Sequence, residues 1–302
     1  MKPLPTADRS FRSILCPVDF SAQARLALRA AAAIADRFDG QITVLFVEDP
    51  LLSQAAKIVL NPRALAKTAE TERRRFVRRA IGRDNGERAV AYDIVTGQPA
   101  REIGKAVRRA AADLIVIGTQ GLSGPKKLMF GSTTEAVLRH TRVPVLAVPS
   151  AAARLVHGRR WPGKKIVAAI ELGADAASDV RTAAKVARRL NTSLLLIHVV
   201  QPTLRPPWLH AHLRDQDRTR LTKARDRLRV LSAAVRGVKT QGRILLGDPA
   251  EEIAALARDL DAGLVVLLLR RGHGLFGPHK GSITYRTLSG TATPLLAVPA
   301  PR

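Results

Sequence analysis

The feature that most constrains the fold of this 302-residue chain is an internal repeat. The segment GQPAREIGKAVRRAAADLIVIG, residues 97–118, aligns without a gap to GDPAEEIAALARDLDAGLVVLL, residues 247–268, and the register continues to residue 150 of the first copy. Further upstream, ILCPVDFS in the first copy matches IVAAIELG in the second. A unit that occurs twice predicts two similar domains, each of an ordinary domain length.

The boundary between the copies falls in the segment SAAARLVHGRRWPGKK. This segment is rich in small and basic residues and is interrupted by Pro162-Gly163. We therefore predict one domain over residues 1–157 and a second over residues 158–302. Pro144 and Pro294 begin the last apolar run of each copy, and proline is tolerated at the start of a strand or at a sheet edge. Both last strands are thus candidate edge strands, and their pairing would give an intrachain pseudo-dimer.

Within each copy, apolar runs of strand length alternate with amphipathic helical segments. In the first copy we predict strands over residues 14–18, 42–47, 89–95, 114–117 and 143–148, with helices between them, including one from 62 to 81. The fourth run is apolar on both faces, as expected where helices cover both sides of a parallel sheet. The predicted fold class is α/β: two tandem doubly wound, Rossmann-like, five-stranded parallel sheets with helices on both faces.

Composition narrows the class of protein. Only 4% of residues are aromatic against 46% hydrophobic, so the cores must be aliphatic. Cys16 is the only cysteine, which excludes an intrachain disulfide and fits a reducing compartment. The N-terminus lacks the apolar segment of a signal peptide, and no apolar run reaches the length of a membrane span. We expect a cytoplasmic protein without a membrane span.

The net charge of +25 has two interpretations. It would favour anionic partners such as nucleotides or nucleic acid. It would equally follow from helices that carry arginine on solvated faces. The Arg-rich segments 72–83 and 214–230 have helical spacing but no interleaved aromatic residues or nucleic-acid motif, so we favour solvated faces over nucleic-acid binding.

A glycine-containing loop follows the fourth strand. Its pattern, G-x-x-G-x9-G-S-T, contains Gly118, Gly121, Gly131, Ser132 and Thr133. Ligands of doubly wound sheets bind beyond the carboxyl ends of the strands. Glycine permits a close approach of the backbone to a ligand, and a helix that begins after Gly131 would offer free N–H groups to an anion.

Two further features of the loop bear on this interpretation. Lys126 and Lys127 could neutralise a polyphosphate. In the alternative interpretation, Ser132 forms a capping box with Glu135, which requires no ligand. The two arrangements are compatible because capping uses only some of the free donors.

This spacing, together with PVDFS after the first strand and a closing VPVLAVP, resembles the ATP-binding branch of the universal stress protein (UspA-like) family. The resemblance covers nearly the whole chain as two tandem copies, and its motifs are stronger in the first. It implies that ATP lies over the ends of strands one, two and four. Phe46 departs from the histidine often found there.

The resemblance also implies roles for particular residues. Pro17, Val18 and Asp19 would flank the adenosine, and Val47 would contact the adenine. The positions that match the phosphate and ribose loop are Gly118, Thr119, Gly121, Gly131, Ser132 and Thr133. From the sequence alone, Asp19 could instead cap the helix that begins near Ser21.

The second copy departs from this pattern. Leu268 and Arg271 stand where the first copy has Gly118 and Gly121, and Glu171 replaces Asp19. We therefore predict that the second domain binds ATP weakly or not at all, and that Arg271 occupies its phosphate position. Because the scaffold tolerates Leu268 and Arg271, the glycines of the first copy indicate a bound nucleotide.

No Walker A sequence, catalytic triad or metal-ligand motif is present in the sequence. We assign none of the histidines to a metal. The expected function is a non-catalytic, ATP-binding regulator of the stress response, with Mg²⁺ at the phosphates and at most slow hydrolysis. Its protein partner is unknown. The alternatives are an interaction protein that binds no nucleotide and a basic nucleic-acid-associated protein.

Overall fold

The computed structural model describes residues 11–51, 54, 61–82, 90–119, 131–156, 161–163, 165–202, 214–269 and 282–300. These residues form two compact units, Met1–Arg159 and Arg160–Arg302. The boundary predicted between residues 157 and 158 lies outside the described residues and stays a prediction.

The first unit alternates strands and helices. Its strands are β1 (Ser13–Val18), β2 (Gln41–Glu48), β3 (Val90–Thr96), β4 (Leu114–Gly118) and β5 (Val145–Val148). Its helices are α1 (Ala22–Phe38), α2 (Pro62–Ile81), α3 (Pro99–Arg109) and α4 (Ser132–His140), followed by a 3-10 helix over Ser150–Arg154. The predicted α/β class is confirmed.

The second unit repeats this order. Its strands are β6 (Lys165–Ala169), β7 (Ser193–Val200), β8 (Thr240–Leu246), β9 (Leu264–Leu269) and β10 (Leu295–Pro299). Its helices are α5 (Ala176–Arg189), α6 (Arg214–Ala233), α7 (Pro249–Asp259) and α8 (Ile283–Gly290).

Each unit has a parallel sheet whose strand order reverses beside its first strand. The order is β3-β2-β1-β4-β5 in the first unit and β8-β7-β6-β9-β10 in the second. The chain runs outward from β1 to β3 and then returns to the other side of β1, so β1 and β4 are neighbours that lie at the switch in strand order. In a doubly wound sheet the carboxyl edge at this switch is where a ligand binds.

The cores are aliphatic, as the composition predicts. Ile14, Leu15, Leu114 and Ile115 are at most 1% exposed in the first unit, and alanines of α1 pack closely over them. Small alanine side chains let this helix approach the sheet, which is why a chain with few aromatic residues can still fill its core.

The Arg-rich helix α2 is amphipathic. Asn61 caps its first turn through a hydrogen bond from the Arg63 amide, and Pro62 fits the first helical position. Phe76 and Val77 are buried, whereas Arg74, Arg75 and Arg78 are exposed. Most arginines of this helix therefore lie on a solvated face, while Arg73 is half-buried. Among the described residues, no helix is both long and apolar enough to cross a membrane.

Candidate functional site

The carboxyl ends of β1, β2 and β4 lie side by side in the first unit. β1 pairs in parallel with β2, which places Val18 opposite Phe46, and it pairs in parallel with β4 on its other side. Because parallel strands end at the same edge of a sheet, the residues that follow them are neighbours. The predicted site residues at this edge are Pro17, Val18, Asp19, Val47 and Gly118.

The turn after β1 is held by its own polar side chains. Ser21 caps α1, accepting a hydrogen bond of 3.0 Å from the Ala24 amide. The exposed Asp19 accepts a 3.1 Å bond through Oδ1 from the Ser21 amide. Asp19 therefore supports the cap and is not itself the cap. Its carboxylate still lies at the surface, where it can meet a ligand hydroxyl.

Phe20 is a residue of this edge that the sequence analysis did not single out. It adopts a left-handed conformation with φ of 62°, and its side chain is 44% exposed. Its ring lies 5.2 Å from that of Phe46 and 5.3 Å from that of Phe76. A phenylalanine in this conformation is uncommon, and its ring is positioned by the contacts with Phe46 and Phe76. The sequence signal was the aromatic residue of PVDFS directly after a strand end.

The end of β2 adds an apolar and a charged group. Val47 is half-buried. Glu48 accepts a hydrogen bond of 3.0 Å from Arg73 of α2, whose guanidinium also lies over the Phe46 ring at 6.0 Å. These contacts fix α2 against the end of β2. Val47 lies beside them, near the carboxyl end of the same strand.

Packing within the fold disfavours a side chain at Gly118, at the end of β4. A Cβ atom there would lie 3.1 Å from the backbone carbon of Gln23 in the first turn of α1. That distance is shorter than a normal carbon contact. Gly118 therefore has a structural reason besides a bound nucleotide, and its role in nucleotide binding stays a prediction.

The first helix of the second unit begins later than that of the first unit. Asp175 is the repeat counterpart of Gln23, 152 positions further along the chain, and it is the N-cap of α5, not a helical residue. The two units therefore differ both at this helix start and at the paired positions Gly118 and Leu268.

The helix α4 begins at the same edge as the strand ends. Thr134 donates a 2.9 Å hydrogen bond to the carbonyl of Gly118, and the Gly131 amide donates a 2.8 Å bond to the carbonyl of Thr119. These bonds hold the two ends of the glycine loop together. Thr119 itself is 5% exposed, and its amide bonds the Val148 carbonyl, so its backbone groups are already used.

The N-terminus of α4 has no side-chain cap. Gly131 is the N-cap residue, while the exposed Ser132 and the half-buried Thr133 are its first helical residues. The capping box considered for Ser132 and Glu135 is wrong, since the helix starts one residue too early and Glu135 instead pairs with Arg139 at 2.7 Å. The first-turn amides therefore make no bond to a capping side chain.

The corresponding helix of the second unit is capped. Ser282 is the N-cap of α8, is 2% exposed and accepts a 3.2 Å hydrogen bond from the Tyr285 amide. Ser132 and Ser282 occupy matching positions of the repeat, yet only the second is used for capping. The two helix ends thus differ in the donors that they offer to an anion.

Part of the predicted site lies outside the described residues: Gly121, Lys126, Lys127 and, in the second unit, Arg271. In the described part of the chain, no group of three or more histidine, cysteine, aspartate or glutamate side chains could hold a metal ion.

Fold and strand-end geometry define a tandem α/β protein with a doubly wound parallel sheet in each half. The profile of the universal stress protein family matches residues 10–149 and again residues 163–299. The chain therefore belongs to the universal stress protein family, in its tandem two-domain form.

Individual relatives agree with this assignment. A universal stress protein of Mycolicibacterium smegmatis is 26% identical over 300 residues, which are 94% of this chain and 96% of that protein. One from Methanocaldococcus jannaschii is 29% identical over 143 residues, 46% of this chain and 82% of that protein.

Solved structures are similar as well. The crystal structure of a universal stress protein from Archaeoglobus fulgidus matches with a TM-score of 0.62 at 19% identity, covering 96% of this chain and 97% of that one. A universal stress protein from the same organism in complex with dAMP covers 45% of this chain and 97% of its own, at 21% identity with a TM-score of 0.34.

Proposed function

We propose that the first unit binds ATP and that the protein acts as a non-catalytic, nucleotide-dependent regulator in the stress response. The observation that carries this proposal is the start of α4. Its first turn has no capping side chain, begins with two hydroxyl residues and is tied to the end of β4 at the switch in strand order. Free amides at the positive end of a helix dipole are a common phosphate site.

The remaining residues suit the other parts of the nucleotide. The carboxylate of Asp19 would accept hydrogen bonds from ribose hydroxyls, as acidic residues do in other nucleotide folds. Val47 and the exposed Phe20 ring would contact the adenine, since apolar and aromatic groups pack against a base. The side chain of Val18 is buried, so this residue would contact the adenosine through its backbone.

The phosphates would lie near the first turn of α4. The N–H groups and hydroxyls of Ser132 and Thr133 can donate to phosphate oxygens, and Gly118 would form the neighbouring wall together with Gly121. Mg²⁺ would be held mainly by the phosphates themselves, which is typical of this cation. Its contribution would be to neutralise charge, with at most slow hydrolysis of ATP.

The regulatory role would come from the contacts that the nucleotide makes at this edge. Binding would favour one conformation of the edge and thereby bias a surface that a partner protein recognises. We expect the protein to act in the cytoplasm, in keeping with a single buried cysteine. Pairing of the fifth strands in an intrachain pseudo-dimer stays a prediction, as does weak or absent ATP binding in the second unit.

Thermal denaturation with and without ATP tests this proposal in matched variants. A ligand that binds only the folded state stabilises it by about 2.7 kcal/mol at a concentration of 100 times Kd, so ATP should raise Tm. We expect Asp19→Asn to reduce the shift and Glu171→Gln, its counterpart in the second unit, to leave it unchanged. No shift in the unaltered protein, or equal losses in both variants, would contradict the proposal.

A further inference from the structure

The second unit contains a cavity of about 420 Å³ at the carboxyl ends of β6 and β7. It is bounded by the turn after β6, one face of α6 and the first turns of α7 and α8. Its volume is within the range of small-molecule sites. All of its lining residues are among those that the structure describes.

The lining of the cavity is largely aliphatic. Its buried base is formed by Ile170, Ile197, Ile253 and Ile283, each of which is at most 5% exposed. The half-buried Leu172, Val199 and Ala224 supply apolar surface that a ligand can reach. Such a surface favours the apolar body of a ligand, because burying apolar area is the main source of affinity in sites of this kind.

The rim of the cavity is mostly cationic. Arg220, Lys223 and Arg227 follow one another at helical spacing along the face of α6 that borders the cavity, and all three are exposed. Arg227 also donates a 2.8 Å hydrogen bond to the Gly173 carbonyl, which fixes α6 to the turn after β6. Glu171 is the one acidic residue among the lining residues.

His198 adds a polar group inside this apolar setting. Its Nδ1 lies 2.9 Å from the carbonyl oxygen of Ile170. Because a carbonyl can only accept, Nδ1 is the donor of this hydrogen bond. The ring is thereby oriented at the border of the cavity and can orient a ligand.

The positions that would hold nucleotide phosphates in this unit are built differently. The last residues of β9, Leu268 and Leu269, are buried, and the hydroxyl of Ser282 is used to cap α8. The described cations that line the cavity lie on α6, the helix that follows β7. They would attract an anionic group to the β7 side of the cavity.

We propose that this cavity of the second unit binds a small amphipathic carboxylate, with its aromatic or branched aliphatic body against Leu172, Val199 and Ala224 and its carboxylate beside Lys223 and its neighbours on α6. The protein would then respond to two different ligands, one in each unit. This inference does not depend on ATP binding in the first unit.

Isothermal titration of the full chain with 2-naphthoate tests the proposal, with the neutral 2-naphthalenemethanol as a matched probe. We expect one naphthoate site per chain and about tenfold weaker binding of the alcohol, since a hydrogen bond to a charged group adds substantially to affinity. Saturating ATP should leave the naphthoate affinity unchanged. Failure of naphthoate to saturate at millimolar concentration, equal binding of the alcohol, or displacement by ATP would each overturn the proposal.

Variants of α6 locate the site. Lys223→Gln should weaken naphthoate about tenfold and leave the alcohol unaffected, whereas Ala224→Phe, which fills the cavity from the same helix, should abolish binding of both. Arg225→Gln is the control, because Arg225 lies on α6 but does not line the cavity. A cooperative unfolding transition by tryptophan fluorescence will show that each variant is folded. Equal effects of the Lys223 and Arg225 variants, or full binding by the Ala224 variant, would refute the assignment.

Discussion

Replacing one serine in each unit with alanine separates capping from ligand binding. Ser282 caps α8 with a 3.2 Å hydrogen bond from the Tyr285 amide and is 2% exposed, so Ser282→Ala leaves a backbone donor without its partner at a buried helix end. Ser132 holds the same position of the repeat, but it is exposed, and the N-cap of its helix is Gly131. The same chemical change should therefore have different consequences at the two sites.

The sizes of these effects follow from the contacts. Loss of a serine N-cap costs about 0.5–2 kcal/mol, and burial places Ser282 in the upper half of that range. Ser132→Ala removes no cap and should change the free energy of unfolding by less than about 0.5 kcal/mol. If the Ser132 hydroxyl donates to a phosphate, its loss should cost about 1.5–3 kcal/mol of binding, or roughly tenfold to a hundredfold in Kd.

Urea unfolding of the full chain distinguishes the two variants without ligand. Both tryptophans of the protein, Trp161 and Trp208, belong to the second unit, so their fluorescence reports on that unit. Ser282→Ala should shift the fluorescence transition to lower urea. Circular dichroism, to which the helices of both units contribute, should show no such shift for Ser132→Ala. Titration with ATP should show the reverse order of effects. Equal destabilisation by both variants, or an unchanged ATP affinity in Ser132→Ala, would refute the reasoning.

Four further predictions test the structure itself. Gly104 is an exposed glycine within α3, and a Cβ there meets nothing within 4 Å, so Gly104→Ala should stabilise the first unit by about 1 kcal/mol. Gly118→Ala should destabilise the same unit by about 1–3 kcal/mol, since the added Cβ would press on α1. Urea unfolding followed by circular dichroism checks both glycine variants. If their unfolding midpoints shift in the same direction, the packing described here is contradicted. Burial raises the pKa of the Cys16 thiol. The native protein should therefore resist alkylation by iodoacetamide at pH 8, whereas the urea-unfolded protein should react. Rapid alkylation of the native protein would contradict the buried position of Cys16. Burial of Asp248 alone would raise the pKa of its carboxyl, but hydrogen bonds from Arg286 and from the first-turn amides of α7 outweigh it and lower the pKa below its usual value of 3.8. The ionised Asp248 therefore contributes its full stabilisation above that value, and the contribution is lost as the pH falls through the lowered pKa. Arg286→Gln should lower the free energy of unfolding in urea, and this loss should shrink below about pH 3.8. A loss that stays constant down to about pH 2 would contradict this.

Much of the fold follows from pattern alone. The repeat predicts two similar units, and α2 spans the predicted 62 to 81 because Asn61-Pro62 and Gly82 mark its two ends. Strand identity follows from apolar runs between helices. These are local signals, and the structure has them where the sequence places them.

The details of the candidate site depend on features that local patterns do not contain. The sequence of Ser132 and Glu135 fits a capping box, but the helix begins one residue earlier, and a shift of one residue decides which group caps it. Conversely, Ser282 caps its helix although Tyr285 stands where a glutamate would complete the box. A helix boundary must be known to within one residue before a cap can be assigned.

Long-range packing accounts for the remaining differences. The preference for glycine at 118 comes from Gln23, a residue distant in sequence that the fold brings within van der Waals distance. The cavity of the second unit likewise combines residues from two strand ends and three helices. Neither relation can be obtained from spacing along the chain.

The most direct test of the account is isothermal titration of the nucleotide-free full chain with ATP in the presence of Mg²⁺. The predicted result is one site per chain, with affinity reduced by Ser132→Ala and unaffected by Ser282→Ala. The absence of binding, or two equivalent sites per chain, would contradict the assignment of the nucleotide to the first unit.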